Sequence, residues 1–296
     1  REAEAFHDEL GHSDQVCSLL ILGLRRRVQR KIELPQQHFL AASIMLLSGP
    51  HNRRTEAEGR DQNAPKRSLQ TLTSMVQLLS SWELMEFHTK EYVGACLWSM
   101  ARCRENCKLL NQVSAVKHLL ALYALERPKG DTDPEDGGRK TNDNESEDAA
   151  QETATALQMK FMQLMAVRKA AARAKSLLAD SRLHKTRQYL MGAIYLILQE
   201  PTCQASLIDD DAALQSLVQG LNEPNRKVCA TVVGIVWKLA ETEAYASELI
   251  DRTRVVTLLL NIAVSGKRFS TTTRIFAMQA VELLTHGREE LMERVR

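Results

Sequence analysis

A segment of the chain repeats itself forty-two residues later, since Gly192-Ala-Ile-Tyr-Leu-Ile-Leu recurs as Gly234-Ile-Val-Trp-Lys-Leu-Ala. The echo continues from Leu207-Ile-Asp to Leu249-Ile-Asp. Self-similarity at this period is typical of stacked helical repeats. One repeat cannot bury its apolar face alone, so repeats pack against each other and leave one long surface for a partner. The period therefore predicts an elongated helical array that acts as a binding platform.

The composition favours an all-α protein. Of the 296 residues 44% are hydrophobic and only 5% aromatic, whereas a β-sandwich needs frequent turns and β-branched strands. Apolar residues recur at three- and four-residue spacing, which indicates helices. The segments with this spacing are 15–31, 36–48, 67–82, 89–103, 113–126, 152–180, 184–200, 211–222, 225–241 and 254–285. We therefore predict a single all-α domain over residues 1–296.

Two polar segments interrupt the helical pattern. Residues 49–66 are rich in Asn, Arg, Glu and Gly, and we predict a loop insertion there. Residues 128–150 are of low complexity, and the stretch 128–152 holds nine acidic and three basic side chains, so we predict an acidic disordered insertion. The chain opens at Arg1 and ends in an apolar-periodic segment over 289–296. We expect it to be a fragment of a longer chain.

The sequence offers no motif for catalysis or for a membrane span. It has no Gly-rich phosphate loop, no G-x-S-x-G elbow and no paired metal-ligand motif, and no run of about eighteen apolar residues. The six cysteines lie mostly in apolar helical stretches, which is typical of free thiols in a reducing compartment. We predict a cytoplasmic protein that is not an enzyme and needs no cofactor or metal.

Residues 99–120 carry the most specific repeat pattern in the chain. They read Ser-Met-Ala-Arg-Cys-Arg-Glu-Asn-Cys-Lys-Leu-Leu-Asn-Gln-Val-Ser-Ala-Val-Lys-His-Leu-Leu. This resembles, without a gap, the armadillo-repeat pattern Asn-Leu-Ala-x-x-x-Glu-Asn-x-x-x-Ile-x-x-x-Gly-Ala-Ile-x-x-Leu-Val. Glu105 and Asn106 fall on the Glu-Asn of the pattern and Ala115 on its Ala, while Ser114 replaces its Gly. Its apolar positions hold Leu110, Val116, Leu119 and Leu120.

The resemblance implies a right-handed superhelix of about six armadillo-like repeats. It is specific over about 89–126 and 184–264 and rests on periodicity elsewhere. The third helices of the repeats are expected near 36–48, 89–103, 152–165, 184–200, 225–241 and 269–286. The related HEAT repeats remain an alternative, because two-helix and three-helix units share this period.

Armadillo proteins resemble one another in binding partners along their third helices, and this implies a set of binding residues here. Positions one helical turn apart lie on one face of a helix. They give the partner-binding candidates His88, Tyr92, Lys185, Tyr189, Lys227, Thr231 and Lys238, with a row of small residues at Ala95, Gly192 and Gly234. Together these residues would line a groove along the third helices, and a groove with lysines and small residues suits an acidic or mixed peptide. The alternative is that the lysines only solvate helix starts and the small residues allow close helix packing.

The slots that importin-like relatives fill with Trp and Asn hold other residues here, such as the pair Gly234 and Lys238. A lysine in that slot repels a basic import signal, so nuclear import is disfavoured. Trp98 and Trp237 lie among apolar neighbours, and we predict them in the core. The resemblance is compatible with a noncatalytic scaffold that binds a peptide or helical protein partner within a cytoskeletal or ciliary assembly.

A basic run near the start of the chain suggests a second kind of partner. It comprises Arg25, Arg26, Arg27, Arg30 and Lys31. Such a helix can bind nucleic acid or another acidic surface. The alternative is a solvated helix face with no partner.

Overall fold

The computed structural model describes residues 13–30, 34–48, 65–125, 181–266 and 268–286. These ranges contain thirteen α-helices and no strand, which confirms the all-α class. The insertion over 128–150, the third helix expected at 152–165 and all of the 49–66 insertion except Pro65 and Lys66 lie outside the described residues.

The helices follow one another along the chain with short connections. In order they are α1 (Asp14–Gln29), α2 (Leu34–Ser48), α3 (Leu69–Leu79), α4 (Phe87–Met100), α5 (Arg104–Gln112), α6 (Ala115–Leu125), α7 (181–197), α8 (Pro201–Ile208), α9 (Asp211–Gln219), α10 (Arg226–Ala240), α11 (Glu243–Arg252), α12 (Val255–Val264) and α13 (Thr271–Thr285). Short 3-10 turns occupy Trp82–Leu84 and Gly220–Asn222.

The helices pack in three rows, and each row contains helices that occupy equivalent positions in successive units. The short helices α5, α8 and α11 form one row, and α1, α3, α6 and α9 form another, which α12 joins through the turn at Gly220–Asn222. The long helices α2, α4, α7, α10 and α13, here called the third helices, form the last row. The apolar side chains between the rows form one continuous core.

Polar side chains fix where several helices begin. The Ser68 hydroxyl accepts a hydrogen bond from the Thr71 amide at 3.2 Å, and the Ser270 hydroxyl accepts one from Thr273 at 3.1 Å. Such caps satisfy amides that have no partner within the helix. The Asp210 carboxylate accepts from the Ala213 amide at 3.0 Å, and this bond lowers the pKa of Asp210.

The structure divides one apolar-periodic segment and adds two short helices. The segment 254–285 contains α12 and α13, because Gly266 and the Ser270 cap interrupt it, and α13 agrees with the third helix expected near 269–286. Periodicity did not mark α8 and α11 as separate helices. They are only 8 and 10 residues long, which is too short for an apolar stripe to repeat often.

Asn106, the residue on the pattern's Asn, is buried and joins three segments. Its side-chain oxygen accepts from the Arg67 amide at 2.8 Å, and its amide donates to the carbonyls of Pro65 and Met100, each at 3.0 Å. Because buried backbone groups need partners, this one side chain stabilises the approach to α3 and the end of α4 together.

A buried polar cluster ties α6 and α7 to the turn before α10. Arg187 is 1% exposed and Glu223 is 5% exposed. Arg187 Nη2 donates to Glu223 Oε2 at 2.5 Å, and the Tyr123 hydroxyl donates to the same oxygen at 3.0 Å. The Arg187 guanidinium also lies 4.3 Å from the centre of the Tyr123 ring. Burial raises the pKa of Tyr123, so its hydroxyl stays a donor.

We expect Glu223→Gln to lower the free energy of unfolding by about 3–5 kcal/mol, because it leaves the Arg187 charge buried without its counterion. Urea unfolding followed by circular dichroism measures the change. The matched control is Glu248→Gln, which breaks the exposed pair of Glu248 with Arg252 and should cost less than about 1 kcal/mol. Equal losses in the two variants would contradict the role of the buried pair.

Candidate protein interface on the third helices

Neighbouring third helices approach each other where an aromatic ring meets a glycine. A Cβ atom on Gly192 of α7 would lie 2.9 Å from Cδ1 of Trp98 on α4. A Cβ atom on Gly234 of α10 would lie 3.3 Å from Cε2 of Tyr195 on α7. A ring can therefore rest on the next helix only because that helix has no side chain at this position.

These two rings share one helical register with a third ring, Trp237 of α10. Trp98, Tyr195 and Trp237 each follow the small residue of their own helix by three positions, and we call them the aromatic row. Trp237 packs on the Phe276 ring of α13 with 5.2 Å between ring centres. The three side chains pack on the core but are only partly buried. Trp98 and Trp237, predicted in the core, therefore lie at its surface.

The row of small residues does not offer an open floor to a partner's backbone. Rings of neighbouring third helices cover Gly192 and Gly234, and Ala95 is buried. Close packing between helices, the alternative considered from the sequence, is therefore the arrangement at these positions. The expected groove with a row of small residues is therefore replaced by a surface of half-buried aromatic rings.

One of the two predicted aromatic candidates lies next to the aromatic row. Tyr92 and Tyr189 are both partly buried; Tyr92 packs against the core, and the Tyr189 ring lies 5.7 Å from the Trp98 ring, centre to centre. Thr231 occupies the matching position of α10, and its hydroxyl donates to the Lys227 carbonyl at 3.0 Å. Thr231 therefore stabilises its own helix, while Tyr189 widens the aromatic surface.

The predicted basic candidates lie near the starts of the third helices, except Lys238 at the end of α10. Lys185 and Lys227 are exposed, and Lys238 forms an ion pair with Glu241. His88 faces His38 of α2, with 5.0 Å between ring centres. Burial lowers the pKa of His88, and the charge of Arg182 lowers it further. His88 is thus held towards its neutral form.

Glu91 and Arg182 belong to this region but were not found from the sequence. Glu91 Oε2 accepts from Arg182 Nη1 at 2.9 Å, and Glu91 Oε1 lies 3.7 Å from Lys185 Nζ. The Glu91 side chain is only 14% exposed. It therefore neutralises part of the basic surface from beneath. The two partners are 91 residues apart, so no local pattern could have paired them.

A basic depression of about 640 Å³ lies between residues 181–188 of α7 and the start of α10. Its volume is within the range of ligand pockets. Among the described residues that line it, three side chains are cations and none is acidic. The lining residues are Ser181, His184, Lys185, Gln188, Pro224, Asn225, Arg226 and Lys227.

The basic run near the start of the chain does not form one face. Arg25 Nη1 donates to Gln77 of α3 at 2.6 Å, while Arg27 Nε donates to Gln36 of α2 at 3.0 Å. These two side chains therefore point to different neighbours, and Arg26 and Arg30 are the exposed ones. Lys31 lies outside the described residues. Cations in the last turn of α1 also interact favourably with the helix dipole.

The described residues hold no group of three or more His, Cys, Asp or Glu side chains placed to bind a metal ion. All six cysteines are buried free thiols. Burial raises the pKa of Cys229 to about 12 and that of Cys96 well above the usual value, so these thiols stay protonated and are poor nucleophiles. No helix in the part of the chain that the structure describes is long and apolar enough to cross a membrane.

Comparison with known protein families finds no family model that matches this chain. A search of the curated proteins also finds no significant match. The resemblance to armadillo repeats therefore rests on the residues themselves.

We expect Gly192→Ala to destabilise the protein or to gain none of the helix propensity that alanine normally adds, because the new Cβ would press on the Trp98 ring. The matched control is Gly23→Ala in the interior of α1, where the nearest atoms lie 3.9 Å from the new Cβ. The control should gain about 0.5–1 kcal/mol. Thermal unfolding and tryptophan fluorescence measure both effects. An equal gain in the two variants would contradict the ring contact.

We expect the stability to fall as the pH drops through about 6.5, the usual pKa of histidine. The pKa of His88 is lowered in the folded state, so the unfolded chain binds the proton first and acid favours unfolding. The loss stops once the pH is below the folded-state pKa. Urea midpoints at pH 7.5 and 5.5 measure it, and the difference should be smaller in His88→Gln. An unchanged difference would contradict this origin.

Proposed function

We propose that this protein is a noncatalytic scaffold, built as an armadillo-type solenoid, that binds a protein partner along its third helices. The observation that carries the proposal is the aromatic row. Trp98, Tyr195 and Trp237 recur at one register on successive third helices, and each ring is only partly buried. A repeated row of accessible rings is a surface that a partner can follow from one repeat to the next.

The solenoid architecture is supported by the packing of like helices. Each described unit after α4 contributes a short helix, a middle helix and a long third helix. Short and third helices pack on their counterparts in the next unit, and the middle helices α9 and α12 meet through the turn at Gly220–Asn222. Asn106 supports the proposed architecture, since this residue on the pattern's Asn is buried and donates to the last carbonyl of α4. Among the described residues, no third helix lies between α4 and α7, which pack directly on each other. The number of about six repeats, expected with a third helix at 152–165, and the right-handed superhelix stay part of the proposal.

Aromatic residues favour the third-helix face as the interface. Tyr and Trp combine a large apolar area with a polar group, and they are enriched among the residues that dominate binding energy. Half-buried rings also lose little side-chain entropy when a partner covers them. Tyr189 extends this surface beside the Trp98 ring.

The charges beside the rings favour an acidic or mixed partner. Lys185 and Lys227 are exposed at the helix starts, while Lys238 is already paired with Glu241. Unlike charges steer association, and like charges repel a wrong partner. We therefore propose a peptide or helical segment of mixed or acidic sequence as the partner. A cytoplasmic assembly of the cytoskeleton or cilium is compatible with six buried free thiols.

The test combines crosslinking with charge reversal. The chain is incubated with native extract, crosslinked, and the crosslinked positions are mapped. We expect partner crosslinks on α4, α7 and α10, and Lys185→Glu with Lys227→Glu should reduce capture of the same partner at least tenfold. Both lysines are exposed, so the double variant should keep its fold, which circular dichroism checks.

The matched control is Lys117→Glu on α6, which changes an exposed lysine in the middle-helix row. It should leave capture unchanged. Crosslinks confined to α6, α9 and α12, or undiminished capture by the double variant, would reject the third-helix interface.

A further inference from the structure

The basic depression between α7 and α10 has more cations than the described acidic residues around it can pair with. Arg226 and Lys227 are exposed and form no ion pair with any described residue. Lys185 Nζ lies 3.7 Å from Glu91, beyond hydrogen-bond distance, and its side chain is 58% exposed. Arg182 already donates to Glu91 at 2.9 Å. The Lys185 ammonium can therefore turn towards the depression without leaving Glu91 unpaired.

His184 adds an unused hydrogen-bonding atom to the same depression. Its Nδ1 atom is buried and has no hydrogen-bond partner within the described residues. A buried polar atom without a partner costs free energy, so native proteins rarely leave one unsatisfied. The atom is shielded from solvent, so a ligand in the depression reaches it once the His184 ring turns.

The buried cluster of Tyr123, Arg187 and Glu223 fixes the two sides of the depression. Arg187 follows Lys185 by two residues, and Glu223 precedes Pro224 at the rim of the depression. The ion pair between Arg187 and Glu223 therefore holds the two sides of the depression at a set separation. The backbone positions of the donors are thus set before an anion binds, while the exposed side chains of Lys185, Arg226 and Lys227 become ordered on binding.

The number and arrangement of the donors favour a phosphoryl group. A phosphate ester carries a charge of about −1.5 to −2 and three acceptor oxygens, whereas a carboxylate carries about −1 and two. Three cations and a histidine match the phosphate better. A nucleic acid would need a longer basic surface, but the net charge of the chain is only +2 and the cations here are confined to one depression.

We propose that this depression binds the phosphoryl group of a phosphoserine or phosphothreonine in the protein partner. Lys185, Arg226 and Lys227 pair with the phosphate oxygens, and His184 contributes its ring nitrogen. The inference rests on the proposed scaffold function and adds regulation to it. Phosphorylation of the partner strengthens its binding, and a phosphatase releases it.

Degenerate eleven-residue peptide pools test the proposal directly. The pools carry a fixed central phosphoserine, serine or glutamate and are passed over the immobilised full chain. We expect at least tenfold greater retention of the phosphoserine pool than of the serine pool, with the glutamate pool closer to serine. Inorganic phosphate in the buffer should compete with the phosphoserine pool. Equal retention of the phosphoserine and serine pools would overturn the proposal.

Variants localise the effect. Lys185→Gln with Lys227→Gln should remove the preference for phosphoserine, while Lys117→Gln on α6 should retain it. If the double variant keeps the preference, the phosphate binds elsewhere and the proposal is wrong.

Phosphatase treatment separates this inference from the scaffold itself. If a partner crosslinks to the third helices equally well before and after treatment, the phosphate site is wrong and the scaffold stands. If crosslinks map away from the third helices, the scaffold fails, and the peptide pools still report on the depression alone. Partner binding that is lost after treatment, together with the pool preference, supports both.

Discussion

The spacing of the third helices depends on one repeated contact, in which a ring of one helix lies where the next helix has no side chain. Trp98 meets Gly192, and Tyr195 meets Gly234 one unit later. The contact brings the helix backbones close together and leaves part of each ring accessible at the same time. Each ring packs on the next third helix and also stays partly exposed. The same contact therefore sets the spacing of the helices and the spacing of the exposed rings in the candidate interface.

A different interaction joins the helices on the two sides of residues 126–180, which lie outside the described ranges. Tyr123 of α6, Arg187 of α7 and Glu223 before α10 form one buried polar cluster. Burying a charge is expensive unless a counterion accompanies it, so such a pair strongly disfavours any other alignment of these helices. The same alignment sets the positions of the exposed cations Lys185 on α7 and Arg226 and Lys227 on α10. The depression between α7 and α10 is therefore a consequence of the core beneath it.

Much of the fold could be predicted from local patterns. The apolar spacing predicted helices, and the repeat pattern singled out Asn106, which the structure buries between the end of α4 and the approach to α3. The short helices α8 and α11 were missed because periodicity needs several turns to be visible. The candidate interface was predicted in part. The register identified the helices that carry the aromatic row, but it treated Trp98 and Trp237 as core and the glycines as open positions.

The sequence by itself determined the class of the fold, the forty-two-residue register between Gly192 and Gly234, and which helices carry the aromatic and basic residues. These properties depend on spacing along one chain, and spacing is visible in a sequence. Only the tertiary structure decided that a ring from one helix covers the glycine of the next, and that Glu91 pairs with Arg182. Those contacts join residues that are distant in sequence, and their geometry follows from how whole helices pack.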